Sequence, residues 1–195
     1  MPEGLWAIAW KAKKGDARAK EVLDQLLKVA DKLGVREYFE ERIRPVMLAG
    51  TKNAVGKRVT VEDVTVEITG FKVEWVSLEG AKRPCSWSAE PCRPNVVIKY
   101  RADGEEQVFN MTWKIKESGR IEASVKMANR LDKAAALVAV AVWEGDEEEK
   151  KRILDKARGG DVVTLTLSNL LAMAQYDESL LEWVMFVKKT KAPIS

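Results

Sequence analysis

The spacing of apolar residues changes twice along this chain, and this change limits the folds open to it. Residues 1–50 place apolar side chains at helical intervals, residues 51–130 alternate apolar and polar side chains, and residues 131–195 return to helical intervals. One block of strands between two blocks of helices predicts an α+β fold rather than alternating β–α units. Because 195 residues suit one domain, we expect residues 1–195 to form a single domain.

The first block predicts a pair of helices. Leucines and alanines recur at helical spacing up to Gly34, which should end the first helix of the pair. A second amphipathic run follows, and Pro45 should kink or end it near Arg44. A shorter helix is expected before the pair, with Gly15 ending it and Asp16 capping the next helix.

The middle block predicts an antiparallel meander of about five strands. Three strands are marked by the alternating residues Val64, Val66 and Ile68, then Phe71, Val73 and Trp75, then Val96, Ile98 and Tyr100. Two further strands, Phe109–Ile115 and Ile121–Met127, are separated by the turn Ser118-Gly119, and Asp103-Gly104 is a hairpin turn before them. Prolines interrupt the stretch 82–95, which we expect to be the longest loop.

The last block predicts helices that pack on the sheet. An Ala-rich helix is expected from Asp132, and a charged helix over Glu147–Arg158. A short strand, Val162–Leu167, should precede two final helices, which Ser168 and Asp177 can cap.

Composition and charge favour a cytoplasmic protein without a membrane partner. The 33 basic and 30 acidic residues nearly balance, so bulk charge alone does not indicate a polyanionic partner. No apolar run is long enough to span a bilayer, and the first residues lack the features of a signal peptide. Abundant Lys, Arg and Glu match the residues that high-temperature proteins use for surface ion-pair networks, which favours a thermophilic source.

Cys85 and Cys92 form the candidate disulfide of the proline-rich loop. Closing a short loop restricts the unfolded chain, and thermophile proteins can keep disulfides inside the cell. Reduced thiols without a role are the main alternative, and redox chemistry is disfavoured because redox pairs usually have a C-x-x-C spacing. Two cysteines without any histidine cannot form a structural zinc site, so we expect no metal.

The polar side of the predicted sheet is the candidate binding site. It is basic and adjoins basic and aromatic residues of the proline-rich loop, a combination that contacts phosphates and stacks on bases. The candidate nucleic-acid-binding residues are Arg83, Trp87, Arg93, Lys99, Arg101, Lys114, Lys116 and Lys126. Glu67, Glu74 and Glu122 are expected on the same side, so cross-strand ion pairing on a solvated sheet is the alternative interpretation.

Catalytic motifs are missing from the sequence. No histidine can activate a Ser or Cys nucleophile, and neither a phosphate-binding loop nor a dinucleotide fingerprint is present. Leu137–Gly145 weakly resembles the helix-ending signature of LAGLIDADG homing endonucleases, with Glu144 at the position of their metal-binding acid, but only the first and last residues agree. An apolar helix core explains this segment better, and we expect no cofactor and no enzymatic activity.

Segments spread over the chain carry a further resemblance. They are Val35–Pro45, Leu48–Gly56, Val73–Trp75, Arg120–Val125, Asp132–Leu137, Leu170–Ala174 and Leu180–Trp183. In these segments the chain resembles the multicopy PaRep proteins, second type, b branch, of Pyrobaculum and related hyperthermophilic archaea. The resemblance implies an archaeal hyperthermophilic source, and the copy number implies an origin in mobile elements. The family has no established activity, so it supplies no functional residues.

These features favour a non-enzymatic binding module, with nucleic acid as the first candidate partner. A protein-interaction or oligomerisation module is the alternative, because tryptophans that remain exposed are enriched at binding hot spots. The tryptophans considered for this role are Trp6, Trp10, Trp87 and Trp183. An enzyme built on a carboxylate pair, or a degenerate nuclease, is the third hypothesis.

Overall fold

The computed structural model describes residues 2–61, 63–77, 92–126 and 162–191, together with the single positions 148, 151 and 155. The helices within these ranges are α1 (Pro2–Lys13), α2 (Ala17–Lys32), α3 (Arg36–Leu48), α4 (Leu167–Met173) and α5 (Ser179–Lys191). The strands are β1 (Arg58–Val61), β2 (Val64–Ser77), β3 (Cys92–Ala102), β4 (Glu105–Thr112), β5 (Lys114–Ile115), β6 (Ile121–Lys126) and β7 (Val162–Thr166). The α+β class is confirmed.

The three N-terminal helices follow the local signals of the sequence, with one exception. The Asp16 side chain accepts a hydrogen bond from an amide in the first turn of α2 (2.9 Å), as its predicted capping role requires. Gly34 ends α2 with a φ of +74°. Of the two outcomes expected at Pro45, a helix end near Arg44 is not observed, because α3 continues through Pro45 to Leu48, and a kink stays a prediction. Pro45 is buried, so core packing offsets the hydrogen bond that its ring removes.

The first sheet is antiparallel and has the order β1-β2-β3-β4. Its longest strand, β2, runs through both segments that alternation predicted as separate strands, and its register shifts between Ile68 and Gly70. This irregularity moves the alternation by one residue, so that Val66 packs in the core before it and Phe71 and Val73 pack against the core after it. A bulge therefore joins the two predicted strands into one.

A second sheet has the order β5-β6-β7 and is also antiparallel. The predicted strand Phe109–Ile115 is divided between the two sheets at Trp113, which is completely buried. The Trp113 amide donates a hydrogen bond to the Pro94 carbonyl oxygen (3.0 Å) at this crossing. The described residues thus hold seven strands in two sheets, where alternation predicted about five in one meander.

Both predicted hairpin turns are confirmed. Asp103 and Gly104 join β3 to β4 with φ values of +52° and +79°, the left-handed conformations that a two-residue turn needs. Gly119, with a φ of +86°, lies in the turn between β5 and β6.

The C-terminal elements agree with the sequence except at one cap. The predicted short strand is β7, and the residue that caps α4 is Thr166 rather than Ser168. The Asn169 side chain accepts a hydrogen bond from the Thr166 amide (2.8 Å) as part of a capping box. Asp177 accepts from an amide at the start of α5 (2.9 Å), as predicted. Within the predicted charged helix over 147–158, the described positions 148, 151 and 155 are helical and exposed, and the rest of 132–158 lies outside the described residues.

One cluster of buried side chains connects the helices to both sheets. It includes Trp6 of α1, Val46 of α3, Ile98 of β3, Ala123 of β6 and Trp183 of α5. The Trp183 indole nitrogen also donates to the backbone carbonyl at the start of β3 (3.3 Å), so α5 packs on the sheet as expected.

Backbone hydrogen bonds tie the segment after α3 to the segment after α4. The Gly50 amide donates to the Ala174 carbonyl oxygen and the Lys52 amide donates to the Gln175 carbonyl oxygen, each at 2.9 Å. Gly50 has a φ of +69°, and a Cβ atom added there would lie 3.2 Å from the Cβ atom of Glu178. Glycine alone meets both the backbone angle and the close approach without strain.

Replacing Gly50 by alanine (Gly50→Ala) should destabilise the protein by about 1–3 kcal/mol, because alanine is strained at positive φ and its methyl group meets Glu178. Gly34→Ala is the matched control, since Gly34 has a φ of +74° with nothing within 4 Å of the added Cβ. Denaturant unfolding should show the larger loss for Gly50→Ala. Equal losses in the two variants would contradict the steric part of this explanation.

Candidate nucleic-acid interface

The side of the first sheet that faces away from the core is solvent-accessible. Alternation places Val96, Ile98 and Tyr100 of β3 in the core, so Lys99 and Arg101 point to the opposite side. We call that side the outer face. By register it contains Arg58, Thr60, Thr65, Glu67, Gly70, Lys72, Glu74, Val76, Arg93, Asn95, Val97, Lys99, Arg101, Glu106, Val108, Asn110 and Thr112.

Bases outnumber acids on the outer face. The bases are Arg58, Lys72, Arg93, Lys99 and Arg101, and the acids are Glu67, Glu74 and Glu106. Arg93, Lys99 and Arg101 were candidate residues, whereas Arg58 and Lys72 were not. The alternation of β2 contained the missing signal for Lys72, because this residue lies between two apolar residues that pack against the core.

Glu67 binds two of these bases. Its carboxylate oxygens lie 2.9 Å from the Arg58 guanidinium and 3.6 Å from the Arg101 guanidinium. The row of side chains across the four strands therefore alternates in sign, from Arg58 through Glu67 and Arg101 to Glu106. Cross-strand ion pairing, the alternative interpretation of the basic side, describes this row.

Lys99 lies at the centre of the outer face and is exposed. Among the residues that the structure describes, it has no carboxylate partner. A Cβ atom on the neighbouring Gly70 would lie 3.4 Å from both Cβ and Cδ of Lys99. Because Gly70 has no side chain, the aliphatic stem of Lys99 can lie over the backbone of β2. On the other side Lys99 adjoins Val108, which is 57% exposed.

Lys72 and Arg93 extend the basic set along the strands. The Lys72 ammonium lies 3.2 Å from a Glu74 carboxylate oxygen, and the Lys72 side chain is 71% exposed. Arg93 is partly buried, and its buried Nε atom has no hydrogen-bond partner in the described part of the chain.

The three other candidate bases that the structure describes do not share the outer face. Lys114 and Lys126 belong to strands of the second sheet, and Lys116 follows β5. The Lys116 ammonium lies 3.4 Å from Glu122, which is also the cross-strand neighbour of Lys114. The separation arises at the buried Trp113, where the chain passes from one sheet to the other. Arg83 and Trp87 lie outside the described residues.

Cys92, the second cysteine of the candidate disulfide, is the first residue of β3, so residues 92–95 of the predicted loop 82–95 are strand instead. Cys92 is buried, with 5% of its surface exposed, and is disulfide-bonded. Cys85 lies outside the described residues, so its part in this bond stays a prediction.

Two of the tryptophans expected to expose aromatic area are instead buried. Trp6 is 6% exposed and donates its indole N–H to the Arg42 carbonyl oxygen (2.6 Å), while Trp183 is 2% exposed. Trp10 is partly buried, with the Lys14 ammonium 4.6 Å from its ring centroid. Trp87 lies outside the described residues. Trp6 and Trp183 belong to the buried core, and composition alone could not distinguish a buried tryptophan from an exposed one.

A groove of about 710 Å³ lies beside α2 and α3. Three glutamates line it, Glu37, Glu40 and Glu41, and all three are exposed. Glu40 lies 2.8 Å from Arg36, and Glu41 lies 3.7 Å from Arg44. Catalytic acids are tuned by burial or by an unbalanced neighbouring charge. These exposed glutamates, two of them paired, therefore give no support to a carboxylate-based enzyme.

A second charged cluster lies where α1 meets the start of α5. The Lys14 ammonium is 2.9 Å from Glu178, which links the two elements. Burial raises the pKa of Glu182 in this cluster, the neighbouring carboxylates of Glu178 and Asp177 raise it further, and Lys14 opposes them.

Within the described ranges, no group of His, Cys, Asp or Glu residues is arranged to hold a metal ion.

Glu182→Gln should stabilise the protein slightly at about pH 7. Because the native pKa is raised above 4.5, the native state holds this proton to a higher pH than the unfolded state does. Ionisation of Glu182 therefore lowers stability as the pH rises above 4.5, and the advantage of the glutamine should shrink as the pH falls towards that value. Thermal unfolding across this range tests the prediction, with Glu117→Gln in an exposed turn as control. A variant less stable than the wild type near pH 7 would contradict it.

These observations define an α+β protein whose candidate site is an exposed sheet face with an excess of bases. The family model described as PaRep2b protein matches residues 1–189, so the chain belongs to this family, as the resemblance predicted. The match also covers the first 34 residues, on which the resemblance did not depend. Comparison with curated proteins and with solved structures found no match. In the described part of the chain, no helix has the length and apolar character to cross a membrane.

Proposed function

We propose that this chain is a non-enzymatic binding protein whose outer face contacts the phosphate backbone of nucleic acid. The observation that carries this proposal is Lys99. It is an exposed base with no carboxylate partner in the described part of the chain, and it lies at the centre of a face on which bases outnumber acids. Such a cation is available to a phosphate without first breaking an ion pair.

The ion pairs on the outer face leave further bases available to a ligand. Exposed pairs are worth about 0–1 kcal/mol each, because solvent screens them and both side chains lose freedom. Arg101, whose side chain is 54% exposed, can therefore exchange Glu67 for a phosphate at small cost. Lys72 can leave Glu74 in the same way.

The side chains of the outer face favour contacts to the phosphates of a nucleic acid over contacts to its nucleobases. No aromatic side chain lies on the outer face within the described residues, so stacking on nucleobases is not available there. Contacts from Lys and Arg to phosphates carry no sequence information and weaken as salt rises. We therefore expect binding with little sequence preference and a steep dependence on salt.

A protein-interaction module remains the alternative, and one observation favours it. Large apolar residues are exposed along α2 and at the start of α3, whereas Trp6 and Trp183 are buried. The archaeal hyperthermophilic source, the cytoplasmic location and the origin in mobile elements stay predictions. An origin in mobile elements would fit a nucleic-acid partner.

Binding to labelled single-stranded DNA, duplex DNA and RNA, measured by fluorescence anisotropy, tests this function. The wild-type protein should bind at about 50 mM salt and lose most of its affinity at about 200 mM. Changing Lys72→Glu and Lys99→Glu together should lower the affinity about tenfold or more, because two phosphate contacts become repulsive.

Lys114→Glu with Lys116→Glu is the matched control, since it makes the same change of net charge on the second sheet. This control should lose much less affinity than the outer-face variant. Equal losses would show that only bulk charge matters. No binding to any of the three nucleic acids at low salt would refute the proposed function.

Glu67→Gln should have the opposite effect and strengthen binding about two- to fivefold, because it releases Arg58 and Arg101 for phosphates. The same anisotropy titration measures this gain, and the slope of affinity against salt should become steeper. Glu117→Gln makes the same charge change in an exposed turn and should leave the affinity nearly unchanged. A loss of affinity in Glu67→Gln would contradict the assignment of these arginines to the interface.

A further inference from the structure

Helix α2 carries two stripes of apolar residues, and the core uses one of them. Ala19, Leu23 and Ala30 are buried against the rest of the protein. The second stripe consists of Val22, Leu26, Val29 and Leu33, with Leu33 at the end of the helix. In this stripe Val22 is 36% exposed, Val29 is 54% exposed and Leu33 is 71% exposed, while Leu26 is partly buried. We call it the outer stripe.

The spacing of the outer stripe is that of a helix-pairing seam. Its members follow one another at intervals of four, three and four residues, which is the repeat of the apolar positions in a two-stranded coiled coil. Single apolar residues on a surface need no explanation, but a continuous stripe on one helix does. Two further large residues are exposed close by in the chain, Val35 immediately before α3 (38%) and Tyr38 within it (57%).

We propose that the outer stripe docks against the outer stripe of a second copy of this chain, with the two α2 helices antiparallel. The stripe is complementary to itself in this direction. In a pair centred between Leu26 and Val29, Val22 of each copy meets Leu33 of the other, and Leu26 meets Val29. A two-fold axis then repeats every contact, which is how most homodimers close.

Charge complementarity selects the second copy in the antiparallel direction. Arg18, in the first turn of α2, and Glu37, in the first turn of α3, are both exposed and have no ion pair within the described residues. In the proposed register, Arg18 of one copy comes to the corner between α2 and α3 of the other copy, where Glu37 lies in the first turn of α3. A parallel pair would instead set Arg18 against Arg18, which is repulsive.

This interface is independent of the proposed nucleic-acid function, because the outer stripe and the outer face belong to different elements. Sedimentation equilibrium between about 1 and 100 µM should show a dimer of the wild-type protein. Val29→Glu with Leu33→Glu should yield a monomer with unchanged circular dichroism. Val55→Glu with Val162→Glu is the matched control, since these valines are 50% and 61% exposed and lie on neither α2 nor the outer face, and it should remain a dimer.

A charge exchange tests the direction of pairing. Arg18→Glu and Glu37→Arg should each weaken dimerisation about tenfold, and the two changes together should restore it. A wild-type protein that is monomeric at about 100 µM overturns the proposal, as does a dimer that survives Val29→Glu with Leu33→Glu. Failure of the double exchange to restore dimerisation overturns the antiparallel register.

Discussion

The pairing of β2 with β3 supports both the core and the candidate site, and it depends on one irregularity in β2. The core-facing apolar residues of β2 occupy even positions up to Ile68 and odd positions from Phe71 onward. A strand of constant period would turn one of these halves to solvent. The shift between Ile68 and Gly70 keeps both halves on the core and, by the same step, keeps Lys72 and Glu74 on the outer face.

The parts of the fold that the sequence predicted are those with a local cause. Gly34 and the Asp103-Gly104 turn need positive φ, and that requirement is visible in the residue types themselves. The division of the strands into two sheets has no such signal. Trp113 continues the apolar alternation of β4 without interruption, and only the packing of two sheets around its buried side chain shows that the ladder ends there.

The candidate site was predictable in part, for the same reason. Alternation was sufficient to place Lys99 and Arg101 on one side of a strand, since it is a property of the strand itself. It could not place Lys114 and Lys116 relative to them, because that depends on the crossing at Trp113. Nor could it separate paired bases from unpaired ones, because Glu67 reaches its two arginines across neighbouring strands.

The modest charge excess of the outer face raises the question of how it could hold a polyanion. Contacts from a few bases give weak affinity near physiological salt, where charges more than about 8 Å apart are largely screened. Pairing through the outer stripe would place two outer faces on one particle. A nucleic acid long enough to reach both would bind the second face as an intramolecular step, and such linkage raises affinity about 10²–10⁴-fold without any new contact. Self-association through α2 would thus supply affinity that one sheet face alone lacks.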